Sequence, residues 1–123
     1  MHYSILLYAA EPSEGQIDPD VIAKMQEAYQ KYARDLVAAG VLVSGEVLTD
    51  AEDAVCVEQR DGALRLNVGA LEQRSTPLVA VFTVDVEGRD DAVGWAKRCP
   101  GVSYGAVEVR AAGTSIMPDG SWS

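Results

Sequence analysis

Hydrophobic and polar positions change rhythm several times along the chain, and each rhythm predicts an element. Tyr3–Ala10 is a nearly continuous apolar run closed by Glu11-Pro12-Ser13-Glu14-Gly15. A run of that length ending in turn residues predicts a largely buried strand that enters a loop. From Val21 the apolar positions then step by three and four through Ile22, Met25, Tyr29, Tyr32 and Leu36 to Val37, the stripe of a helix with one face on the core. Asp18 is placed to cap that helix, Pro19 suits its first position, and Asp20 puts negative charge where the helix dipole favours it. Gly40 can take the left-handed conformation that ends a helix, so the spacing predicts a helix over 19–39, with Glu27 and Lys31 set for an i, i+4 pair.

VLVSGEVL, residues 41–48, is rich in β-branched and Leu residues and predicts a second strand, in which Gly45 either weakens the pairing or marks a bulge. A polar connection, Thr49–Asp53, leads to AVCVEQ and ALRLNV on either side of Arg60-Asp61-Gly62. Asp-Gly favours the type I′ turn of a tight hairpin. With Asp61 and Gly62 as the loop, Glu58 faces Arg65, Val57 faces Leu66 and Val55 faces Val68, so like faces like. Gly69–Pro77 reads as a polar loop and Leu78–Val86 as a strong strand. Asp90 and Asp91 in front, Lys97 and Arg98 behind and Pro100 beyond predict a short helix carrying Val93, Trp95, Ala96 and Cys99. Gly94 inside it costs about 1 kcal/mol relative to Ala, which close packing would explain. Tyr104–Arg110 is the last strand, and residues 111–123 form a tail that is loose or contacts a partner.

The order β-α-β, β-hairpin, β-α-β is that of an α+β domain over residues 1–110, a split βαβ plan with an inserted hairpin. Its helices cover one face of an antiparallel sheet. The other face needs a cover that this chain does not supply, so a homodimer with sheets face to face is expected.

Composition narrows the function classes. At 123 residues, 48% hydrophobic and 24% charged, the chain suits one folded domain. A net charge of −9 and a pI near 4.4 argue against nucleic acid or an anionic membrane as partner, since both need Lys and Arg against phosphate. No apolar run reaches the length of a membrane span and no basic leader opens the chain, so a soluble, cytoplasmic protein is expected. Cys56 and Cys99 lie far apart with no CxxC and only His2 as an imidazole, a pattern of reduced structural thiols rather than of a metal site. No glycine-rich phosphate loop or nucleophile elbow occurs, and no cofactor is expected.

Several residues carry candidate chemistry. Glu11 is either a solvated strand end or a working acid at the mouth of a pocket. Glu46 interrupts an apolar strand, which suggests an edge or a cleft. Arg110 ends the last strand and either pairs with an acid or holds an anionic ligand. Tyr32 and Tyr104 either line a pocket for a planar ligand or pack in the core or an interface.

SILLYAAE near the start, LVAAGVLVSGEVL (36–48), FTVDVEGRDDAVGWAKRCP (82–100) and GAVEVR (105–110), in this order and spacing, resemble the YCII-related domain family. The resemblance is to its branch named for a DGPF motif, although Val68-Gly69-Ala70-Leu71 keeps only the glycine of that motif. It implies a ferredoxin-like fold that dimerises into an α/β-barrel arrangement with a cleft beside the first helix. Some relatives are lyases or dehydrochlorinases of small aromatic compounds that use a His-Asp pair, others have no assigned activity, and related domains occur beside sigma factors. On alignment the acid of that pair falls on Glu11 and the histidine on Tyr29. The resemblance therefore implies an acid/base enzyme of isomerase, lyase or cyclase type, acting on a small organic, aromatic or polyketide-like molecule. Glu11 would be its base and Tyr29 its hydrogen-bond donor, helped by Glu46 and Arg110. The alternative is a ligand-binding or accessory dimer without catalysis.

Overall fold

Local signals set the ends of the long helix as expected. The Asp18 carboxylate accepts from the Asp20 N–H at 2.9 Å, and Gly40 takes φ 72°. Gly40 and Val41 donate their N–H groups back to the carbonyls of Val37 and Leu36, the paired bonds of a Schellman ending. The computed structural model describes residues 1–11, 18–72 and 74–123, so the turn expected at Pro12–Gly15 and one position of the Gly69–Pro77 loop lie outside the described residues.

The elements are β1 (His2–Ala9), α1 (Pro19–Ala38), β2 (Leu42–Val47), β3 (Val55–Arg60), β4 (Ala63–Val68), β5 (Leu78–Asp85), α2 (Arg89–Lys97) and β6 (Gly105–Ala111), with 3-10 turns at Ala51–Asp53 and Pro100–Ser103. Four strands form one sheet in the order β2-β5-β1-β6, each neighbour antiparallel. This is an α+β architecture compatible with the ferredoxin-like plan. The inserted hairpin is a separate ribbon of β3 and β4. Its register is the one expected: Val55 opposite Val68, Val57 opposite Leu66, Glu58 opposite Arg65, around a turn in which Asp61 and Gly62 both have positive φ.

Strand alternation divides the large sheet into two faces. Tyr3, Ile5, Leu7 and Ala9 of β1 and Ala80, Phe82 and Val84 of β5 point to the buried side, where Tyr32 and Leu36 of α1 and Ala92 and Ala96 of α2 cover them. Ser4, Leu6 and Tyr8 alternate to the other side and stay half-buried. Among the described residues no helix is long and apolar enough to cross a membrane.

Four expectations change. The α1 stripe does not lie on the core along its whole length, because only Tyr32 and Leu36 are buried, while Val21 and Ile22 are 47% and 39% exposed. The helix thus departs from the sheet toward its N-terminus. Lys31 bonds Asp35 at 2.9 Å rather than Glu27, and Arg98 reaches the same carboxylate at 3.0 Å. The Lys31 hydrogen bond leads in holding the Asp35 carboxyl below its usual range. Gly45 is not the bulge, since the register of β2 against β5 slips between Leu42 and Ser44, with Val43 as the extra residue; a Cβ on Gly45 would instead meet the Phe82 ring at 2.8 Å. Close packing does not explain Gly94, whose missing Cβ would have nothing within 4 Å.

The tail is closed on itself: Ser115 and Ser123 exchange backbone hydrogen bonds, and Ser115 Oγ lies 3.0 Å from His2 Nδ1. Ile116 and Trp122 stay 65% and 72% exposed.

Candidate functional site

Where α1 departs from the sheet, a cavity of about 590 Å³ opens. The N-terminal half of the helical stripe forms one wall through Ile22, Met25 and Tyr29, and the strand ends form the other through Leu7, Val47, Leu48, Val79 and Ala80. A bulge shapes that second wall. Leu7 pairs with Ala80 but Tyr8 with Leu78, so β5 has one residue more than β1 at Val79. An unpaired residue of this kind re-aims a side chain at a sheet end.

Glu11, Asp50, Gln26, Gln30 and Tyr104 supply the polar lining. Glu11 follows β1 directly, and both its carboxylate oxygens accept from the Ala51 N–H, at 3.1 and 2.9 Å. Ala51 begins a 3-10 turn whose cap residue, Asp50, makes no side-chain cap bond of its own. The orphan N–H of that turn is therefore satisfied from a distant strand end. An ionised carboxylate has about four acceptor sites, so Glu11 retains lone pairs for a ligand.

Tyr29 and Tyr104 meet hydroxyl to hydroxyl at 2.5 Å. Burial first, and the hydrogen bond to Tyr104 second, push the Tyr29 phenol well above its ordinary value, so it is a neutral donor throughout the physiological range. Gly101, in the turn after α2, lies against Tyr29 and Leu7. A Cβ there would lie 2.6 Å from Leu7 Cδ2 and 2.9 Å from Tyr29 Oη, so a side chain at 101 would fill the space in which the phenol sits.

Three of the six candidate residues, Glu11, Tyr29 and Tyr104, thus line one cavity. The other three lie elsewhere. Tyr32 is buried in the core, where its hydroxyl donates to the Trp95 carbonyl at 2.8 Å and its ring meets Phe82 edge-on at 5.5 Å; burial leads in raising its phenol as well. Glu46 pairs with Val81 on edge strand β2 and is exposed. Arg110 pairs with Ser4 on β6, the opposite edge. Since Leu6 pairs with both Val81 and Glu108, alternation sets Glu46 and Arg110 on the face of the sheet away from the helices.

Residues 1–112 match the YCII-related domain. The chain belongs to that family. No curated protein matches it by sequence. In this YCII-related domain the cavity beside α1 has contributors that sequence reasoning passed over. Asp50 lies in a stretch read only as a polar connection. Gly101 follows a proline read only as a helix stop, and its role depends on Leu7 and Tyr29, which no local pattern connects to it.

Proposed function

We propose that this YCII-related domain binds a small organic molecule, aromatic or polyketide-like, in the cavity beside α1 and acts on it by acid/base chemistry without a cofactor. Glu11 accepts a proton from the bound molecule, and Tyr29 donates a hydrogen bond to the oxygen on which negative charge develops. Isomerisation, elimination and cyclisation all share that step. The observation that carries this reading is the meeting of one acceptor and two phenols, from three distant parts of the chain, in one mainly apolar cavity. Size agrees, since pockets for small molecules span about 300–1,000 Å³. Two hydroxyl hydrogens serve the Tyr29–Tyr104 pair; one lies between the rings, leaving the other for a ligand oxygen.

A second reading, a ligand-binding or accessory protein without turnover, is favoured by the bifurcated hydrogen bond that the Ala51 N–H donates to both Glu11 carboxylate oxygens, which gives that acid a structural task. A thermal-shift screen of small aromatic and polyketide-like compounds separates the possibilities. A true ligand at about 100 times its Kd adds about 2.7 kcal/mol of stability, and a screen without any stabilising compound defeats both readings. With a substrate in hand, Glu11→Gln and Tyr29→Phe are expected to lower turnover about 10²–10⁴-fold while changing stability by less than about 1 kcal/mol. Stability losses above about 2 kcal/mol with unchanged ligand response favour the purely structural role.

The same protein is proposed to work as a homodimer through the sheet face that its own helices leave open. Two features support this. Leu6, Tyr8 and Val81 lie on strands whose buried residues already face α1 and α2, and are themselves only half-buried. On the hairpin, Val57, Leu66 and Val68 are 63%, 68% and 81% exposed, an apolar ribbon that a monomer seldom leaves in water. Sedimentation at micromolar concentration is expected to give twice the chain mass of 13.1 kDa. A single species of one chain mass rejects the dimer.

A further inference from the structure

The charged side chains of the cavity are all of one sign. Its charged lining consists of two carboxylates, Glu11 and Asp50, with no Lys, Arg or His among the described lining residues. Neither carboxylate takes part in an ion pair among the described residues. An acid at the cap position of a helical turn ordinarily caps that turn with its own side chain. Here Glu11 performs that task through the Ala51 N–H, and the Asp50 side chain makes no cap bond.

We propose that Asp50 is a ligand-binding residue, and that the cavity takes a cationic amphiphile: an apolar, ring-sized body against α1 and the strand ends, with a protonated amine at Asp50. Three kinds of observation agree on that chemistry. The walls are apolar and ring-sized. Ionised carboxylates accept and never donate, so the group that meets them must be a donor, and an ammonium offers three. Tyr29 and Tyr104 also line the cavity, and an aromatic ring is a favourable neighbour for a cation. A carboxylate, phosphate or sulfonate ligand would meet two like charges without a compensating cation. Glu11, further inside and half-buried, remains available as the proton acceptor of the function proposed above, on which this inference rests.

The test uses three probes with one indole body: tryptamine, tryptophol and indole-3-acetate, titrated calorimetrically against the full chain at low salt. Tryptamine is expected to bind about tenfold more tightly than tryptophol, with indole-3-acetate weakest, and added salt should narrow the gap. Asp50→Asn, which keeps a residue suited to opening a turn, should abolish the tryptamine advantage and leave tryptophol unchanged. If tryptophol binds but tryptamine binds no better, or if Asp50→Asn leaves the preference intact, the amine inference fails and the cavity reading stands. If none of the three binds, the cavity reading falls and takes this inference with it.

Discussion

Gly101→Ala is expected to destabilise the protein by about 1–3 kcal/mol, the usual range for a methyl forced into a filled core. The new Cβ would come within contact distance of both Leu7 methyls and 2.9 Å from Tyr29 Oη. Neither neighbour can give way cheaply. Leu7 is 1% exposed on the buried face of β1, and Tyr29 is held through its hydroxyl by Tyr104. In a chain of this size each kcal/mol lowers Tm by roughly 4 °C, so the loss is readable by calorimetry. The closest approaches are to Leu7, so Leu7→Ala should make Gly101→Ala less costly, with a coupling of about 0.5–3 kcal/mol. An unchanged Tm for the single variant would show that Leu7 and Tyr29 yield more easily than their packing implies.

Gly101 also shows where sequence reasoning runs out. Features that depend on a few neighbouring residues were legible. Asp61-Gly62 specifies its own turn, and the turn sets the register of the whole ribbon. Asp18 and Gly40 mark the ends of α1 through bonds no more than five residues long. The alternation of β1 is hidden over residues 5–9, because two of its outward positions, Leu6 and Tyr8, are apolar too.

Features that depend on how elements sit against one another were not legible. A 3.6-residue stripe says which side of a helix is apolar and not how far it stays on the sheet, so Ile22 and Met25 read as core although they line a cavity. Tyr29 and Tyr104 are 75 positions apart, and the partner of Glu11 is a backbone N–H 40 positions away, which leaves no mark on residue type. The residues on which the family resemblance falls, Glu11 and Tyr29, line the same cavity, whereas Glu46, a charge inside an apolar strand, and Arg110, a charge at the end of one, lie on the opposite face of the sheet. A charge in an apolar strand marks an edge as readily as a cleft, and both residues are on edge strands.

The largest single loss of stability is expected at the one phenylalanine. Phe82 is 5% exposed in the middle of β5, pairs across the sheet with Gly45 and stacks edge-on against Tyr32, so Phe82→Ala should cost about 3–5 kcal/mol. Gly45 makes this more informative than a core truncation alone. A glycine inside a strand costs roughly 0.5–1 kcal/mol relative to alanine, yet here its bare Cα is where the ring lies, with Cδ1 and Cε1 at 2.8 and 3.1 Å from any added Cβ. An aromatic residue covering a cross-strand glycine is a recognised way of recovering that loss. Gly45→Ala should therefore destabilise the natural protein, by about 1–3 kcal/mol, and become neutral or stabilising once Phe82 is truncated. Urea unfolding of the two single variants and the double variant measures this reversal of sign, with Phe82→Leu as the background if truncation to Ala leaves no folded protein. If Gly45→Ala has the same effect in both backgrounds, the ring does not depend on the glycine, and the residue is explained by strand geometry alone.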